Sequence, residues 1–165
     1  MKRASSDSEK PRLDSVDRNI LTLLQRNARR PLQEIADEIG TSKTRVWSRV
    51  RKLQQSGIIT RFTVEIDADL LGFEACFFVL IRTSQHEPTW QRKFLDAVRN
   101  RPEVLEAHRL AGDIDYILKV RVANARAYDK FYQAMIDQVN IFNVTALLSM
   151  EEIKYSTMPG LETSG

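Results

Sequence analysis

One cysteine and two histidines are the only thiol and imidazole groups in these 165 residues. A single cysteine closes no intramolecular disulfide, and Cys76, inside the apolar run ACFFVLI, is expected to pack as a small hydrophobe. His86 and His108 do not stand at metal-ligand spacing, and one thiol cannot build a zinc cluster. No glycine-rich phosphate loop precedes a helix. Glu151 and Glu152, neighbours on an expected strand, point to opposite faces and cannot act as a carboxylate pair. Asp113 and Asp115 could imitate an acid–base pair, but no nucleophile or histidine accompanies them. Catalysis therefore has no constellation to rest on, and no metal or cofactor is implied. No apolar run approaches the ~18 residues of a membrane span. The opening MKRASSDSEKPR lacks the apolar core of a signal peptide. A cytoplasmic protein without a membrane partner is expected. Internal repeats and low-complexity segments are also lacking.

What is present is the profile of a soluble globular protein, 42% apolar and 28% charged. The net charge of +3 conceals a split. Residues 1–62 hold 14 Lys/Arg against 7 Asp/Glu, whereas residues 63–165 hold 11 against 15. A basic first third beside an acidic remainder fits a nucleic-acid reader joined to a domain with another task.

The basic third carries a compact pattern. Asp14 suits an N-cap, with Asp17 at the N3 position, and Val16, Ile20, Leu23 and Leu24 form one apolar stripe. Pro31 fits the first turn of a second helix, in which Leu32, Ile35, Ala36 and Ile39 share a face. Gly40 ends it, because glycine takes the left-handed cap conformation without steric cost. Ser42 caps a third helix with Val46, Val50 and Leu53 inward. No acid falls between Lys43 and Leu53, so its outer surface is positive. Helices over 14–28, 32–39 and 42–56 thus form a helix-turn-helix, followed over 58–66 by a strand or a pair of wing strands, where the period changes to two.

Residues 73–157 alternate in another order. Strands are expected over 73–83, 104–110, 116–122 and 144–155, and helices over 88–100 and 125–139. This βαββαβ order is the ferredoxin-like arrangement, with both helices on one sheet face. The fold class is α+β: a winged helix-turn-helix at 13–62, a linker strand at 63–72, a ferredoxin-like domain at 73–157, and tails at 1–12, read as disordered, and 158–165. The sheet face away from the helices is partly apolar and should bury itself against a second copy of the chain.

These motifs resemble the Lrp/AsnC (leucine-responsive, feast/famine) transcription regulators. The resemblance rests on Leu13-Asp14…Asp17-Arg18-Asn19-Ile20-Leu21, on Ser42…Val46…Arg49-Val50…Leu53…Gly57-Ile58-Ile59, on the turn Ala111-Gly112-Asp113-Ile114-Asp115-Tyr116, and on Glu152-Ile153-Lys154. It covers residues 12–157. It implies dimers paired through the C-terminal sheets, tetramers or octamers built from them, DNA bent by several helix-turn-helix units, and an amino acid effector between C-terminal domains. The segments 78–83 and 150–155 look most like a branch that includes cysteine-responsive detoxification regulators. One departure stands out. Many members place Pro-Gly between the last helix and strand, where this chain has Val139-Asn140-Ile141-Phe142-Asn143. The pocket or oligomer contact beside that loop is expected to differ.

Thr44, Arg45 and Ser48 are the candidates for base contact, since Arg grips guanine O6 and N7 with two hydrogen bonds and Thr meets a thymine methyl. Lys43, Arg51, Lys52 and Arg61 suit phosphates, which set register and carry no sequence information. Ser42, which caps the helix, is counted with this set. Trp47 either stacks at DNA or covers the helix pair. Arg49, at the edge of the apolar face, either joins the DNA-binding set or pairs with an acid of the first helix such as Asp17. For the effector, Gly112, Asp113, Ile114, Asp115 and Tyr116 are the candidates: bare turn N–H groups would hold a carboxylate, and an aspartate an ammonium. The same residues also make an ordinary hairpin turn whatever binds there. Thr145 and Ser149 could line the same pocket or simply alternate on a half-exposed strand.

The expected function is a sequence-specific transcription regulator of amino acid metabolism that binds double-stranded DNA, itself, and a small amino acid. The rivals are an effector-independent architectural DNA-binding protein, a small-molecule sensor whose helix-turn-helix binds protein, and an enzyme with a DNA-targeting domain.

Overall fold

Two separate cores organise the chain. The computed structural model describes residues 12–84 and 87–156. These fall into one unit that runs to Glu65 and includes Ser156, and another spanning Ile66–Tyr155. The tails expected at 1–12 and 158–165 lie, Arg12 apart, outside the described residues, as does His86.

In the first unit, α1 (Ser15–Arg26), α2 (Leu32–Glu38) and α3 (Lys43–Gln55) enclose Ile20, Leu23, Leu24, Ile35, Ala36, Val46 and Leu53. A reciprocal capping box starts α1. The Asp14 Oδ1 accepts the Asp17 N–H at 2.8 Å, and the Asp17 Oδ2 accepts the Asp14 N–H at 3.4 Å. Pro31 stands one residue outside α2 as its N-cap, not in its first turn, because its ψ of 136° is extended. The turn after α2 is a Schellman cap: Gly40 has φ +67°, its N–H donates to Asp37 O, and the Thr41 N–H donates to Ala36 O at 2.9 Å. Ser42 then caps α3, its hydroxyl accepting the Arg45 N–H at 3.3 Å.

The wing strands and linker strand do not form. Among the described residues there is no strand between Gly57 and Ala75. Phe62, Val64 and Ile66 alternate as a strand would, yet all three are exposed, and alternation alone supplies no backbone partner. Residues 68–72 instead fold into a turn. The Asp67 carboxylate accepts the N–H groups of Asp69 and Leu70, and the Phe73 N–H closes on Ala68 O at 2.9 Å.

The second unit is the βαββαβ arrangement: β1 (Ala75–Arg82), α4 (Pro88–Arg99), β2 (Val104–Arg109), β3 (Tyr116–Val122), α5 (Ala125–Ile136) and β4 (Asn143–Leu148). The sheet order is β2-β3-β1-β4, antiparallel throughout. Phe77, Val79 and Ile81 of β1 and Tyr116, Leu118, Val120 and Val122 of β3 face Trp90, Phe94, Val98, Phe131 and Met135 from the helices. The Trp90 Nε1–H donates to Asn140 O at 2.7 Å and pins the loop that lacks Pro-Gly. The opposite face presents Phe78, Leu80, Ile117, Thr145 and Leu147, with Lys119 and Arg121 among them.

β4 is shorter than its pattern suggested, ending at Leu148 and not Tyr155. Its partner runs out: β1 begins at Ala75, and the Ser149 N–H to Cys76 O bond, 2.8 Å, is the last rung. The chain beyond it reaches Lys119. The Lys119 ammonium lies 3.2 Å from the Glu152 carboxylate and 5.6 Å from the Tyr155 ring centroid. Burial disfavours that charge, but Glu152 and Glu106 outweigh it and raise the Lys119 pKa. Met150 and Ile153 are each 89% exposed on this segment.

Candidate DNA interface and effector turn

α3 follows a helical wheel whose inner side is Val46, Val50 and Leu53. At about 100° per residue, Thr44 and Ser48 lie roughly opposite Val46. Arg45 and Lys52 flank them on one side, Trp47 and Arg51 on the other. All six are exposed, as is Lys43. Gln55 joins this outer face at the end of α3, exposed and without charge. The candidates drawn from the sequence end at Lys52 on this helix and leave it out. Its amide could pair with adenine, and its helical position relative to Thr44 and Ser48 was the available signal. The Arg51 guanidinium sits 5.4 Å from the Trp47 ring centroid, a cation–π contact that steadies both side chains.

Of its two alternatives, Arg49 takes the pairing with acids of the first helix. Its Nη1 donates to Asp14 Oδ2 at 2.6 Å and to Asp17 Oδ1 at 3.1 Å, and Asp17 is buried. One guanidinium thus ties α3 to the cap of α1. The Asp17 backbone N–H and then Arg49 hold the Asp14 carboxyl below its ordinary range, while Asp14 and then Asp17 raise the Arg49 pKa. Arg30 is likewise engaged, by Glu34 and Glu38. Arg61 is exposed on the extended segment after α3, with no wing to hold it.

The effector candidates are only partly gathered. Gly112, φ +135°, opens the β2–β3 turn, and the Asp113 side chain beside it is 95% exposed. The Arg82 Nε–H donates to Asp113 O at 2.7 Å, and the Arg82 guanidinium lies 3.9 Å from the Asp113 carboxylate. Asp115 serves the fold: its Oδ2 accepts the Thr83 N–H at 2.8 Å and its own N–H donates to Ile81 O at 3.0 Å. Ile114 is half-buried. Tyr116 is a core residue, buried with its ring 4.5 Å from that of Phe94, and cannot meet a ligand at this turn. Thr145 pairs opposite Leu80, two residues along β1 from Arg82, and remains near the turn on the face away from the helices. Ser149 bonds at Cys76, the far end of β1 from Arg82, roughly 20 Å away at about 3.3 Å per residue. Its hydroxyl donates to Glu151 O. Within one chain the fold therefore does not bring Ser149 to the turn.

A three-helix reader with a basic outer face, carried with a ferredoxin-like unit, is the build of a helix-turn-helix transcription regulator. Residues 13–54 match the AsnC-type helix-turn-helix domain and residues 76–159 match the Lrp/AsnC ligand binding domain. The glutamate uptake regulatory protein of Zymomonas mobilis is 40% identical over 93% of this chain and 94% of its own. The DNA-binding transcriptional activator DecR of Escherichia coli is 36% identical over 91% of this chain and 99% of its own. The crystal structure of an AsnC family transcriptional regulator from Agrobacterium tumefaciens superposes with a TM-score of 0.87 at 37% identity, covering 91% of this chain and 98% of that one. The chain belongs to the Lrp/AsnC family of transcription regulators.

Proposed function

We propose that this regulator reads a specific DNA site through Thr44, Arg45 and Ser48. Lys43, Arg51, Lys52 and Arg61 hold phosphates, and an amino acid bound near the Gly112–Asp113 turn adjusts its assembly on DNA. One observation carries the DNA half. The acids that could neutralise α3, Asp14 and Asp17, are both engaged by Arg49, leaving an outward face with exposed cations and no acid among them. The effector half rests on the match to a ligand binding domain and on an exposed carboxylate beside a positive-φ glycine. The turn lies on the surface of one chain, so a second chain pressed against the apolar sheet face would complete the wall of a site. Free amino acids, cysteine and glutamate among them, are the ligand class. The protein acts in the cytoplasm as a homodimer or a larger assembly of dimers.

The test uses the full chain. DNA sites are enriched from a randomised duplex library, and binding is measured by anisotropy with and without each common amino acid. One amino acid should change the footprint or oligomer size of wild type, because a ligand regulates only by favouring one state. Asp113→Asn should bind DNA normally and lose that response. A response equal to wild type would remove Asp113 from the site. Wild type insensitive to every amino acid would leave an effector-independent architectural regulator.

A further inference from the structure

We infer that a shallow hollow between α2 and α3 takes the 5-methyl group of a thymine, with Trp47 as its wall. This rests on the base-reading role proposed above for α3. Leu32, Lys43, Thr44 and Trp47 line the hollow. Leu32 is anchored from beneath, packed against the first core. Trp47 is not needed by that core: Val46, Val50 and Leu53 close it, and the indole is 52% exposed. The ring stands half in water on a polar helix face, so its apolar surface is open to a partner. It is also steadied, since Arg51 lies 5.4 Å from its centroid. Thr44 stands three residues before Trp47, so the threonine methyl and the indole are neighbours on the helix surface.

Two features choose the occupant. The surroundings are cationic, with Lys43 lining the hollow and Arg51 over the Trp47 ring, and complement a phosphate backbone. The floor and wall are apolar. In the major groove the only apolar group a base pair of unmodified DNA offers is the thymine methyl. A deoxyribose could also rest on Trp47, so the test removes the methyl and nothing else.

A duplex enriched with the full-length protein is resynthesised with each thymine replaced singly by uracil, which keeps the O4 acceptor. At the thymine that meets the hollow, wild type should bind the uracil duplex about fourfold more weakly, the worth of one buried methyl. Trp47→Ala should erase that difference while Trp47→Phe keeps part of it. Circular dichroism should report all three proteins folded, since Trp47 lies outside the core. Indifference of wild type to uracil at every thymine overturns the assignment. A uracil effect that survives in Trp47→Ala also overturns it. Failure to enrich any sequence would instead refute base reading by α3, and this inference with it.

Discussion

Gly40→Ala isolates one physical term in the helix-turn-helix. Gly40 sits at φ +67° with its N–H and that of Thr41 capping α2, and a Cβ built there meets nothing within 4 Å. The penalty is then backbone conformation alone. Left-handed backbone costs an L-residue about 1–2 kcal/mol. Alanine also removes freedom from the unfolded chain, returning about 0.4–1 kcal/mol. The net loss should be about 1 kcal/mol, which lowers the Tm of a unit this size by about 4–8 °C. Gly40→Asn should lose less, because asparagine tolerates this region. Thermal unfolding followed by circular dichroism at fixed protein concentration measures both. DNA affinity well below the transition should be unchanged, since the turn geometry is kept. Full retention of stability by Gly40→Ala would mean that the turn does not need left-handed backbone at this residue. A loss above about 3 kcal/mol would mean that neighbours crowd a Cβ and that the open space is not there.

Arg45→Ala should cost about 1–3 kcal/mol at the enriched site and relax one base position, whereas Lys52→Ala should weaken all sequences alike and reduce the salt slope by about one counterion. Arg49→Ala should lower thermal stability and leave the preferred sequence as it is; a changed preference in a repeat enrichment would return Arg49 to the DNA-facing set. Acid should weaken the first unit in a defined window. The Asp14 pKa is lowered from 3.8 by the Asp17 N–H and Arg49, so its contribution is complete above that value and fades as pH falls below it toward the folded-state pKa. In Asp14→Asn that part of the acid transition should be missing from an unfolding series across low pH. Leu147→Glu, on the sheet face away from the helices, should reduce oligomer size in sedimentation. An unchanged assembly would show that another surface holds the copies together.

Much of this architecture was legible from local signals. The stripe Ile20, Leu23 and Leu24, the caps Asp14 and Ser42, and the stop at Gly40 act within a few residues of themselves, so their spacing shows in the chain. The β-strand alternation at Tyr116, Leu118, Val120 and Val122 is local too, and all four are buried on the helix-covered face. The alternation of Phe62, Val64 and Ile66 shows the limit of that signal, because a strand also needs a backbone neighbour. Lys43, Arg45, Arg51 and Lys52 could be placed on one exposed surface because helical period alone determines it.

Sequence by itself determined the helices and their caps, the βαββαβ order and the charge split, since each depends on propensity, period or composition within one segment. Tertiary structure alone decided which polar groups are used up. Arg49 is paired with Asp14, 35 residues earlier in the chain. Tyr116 is spent on Phe94, Asp115 on Thr83, and β4 stops where β1 has no more backbone to offer. A charge or a hydrogen-bonding group declares its presence in the chain. Its partner is chosen by proximity in space, and only the packed fold creates that proximity.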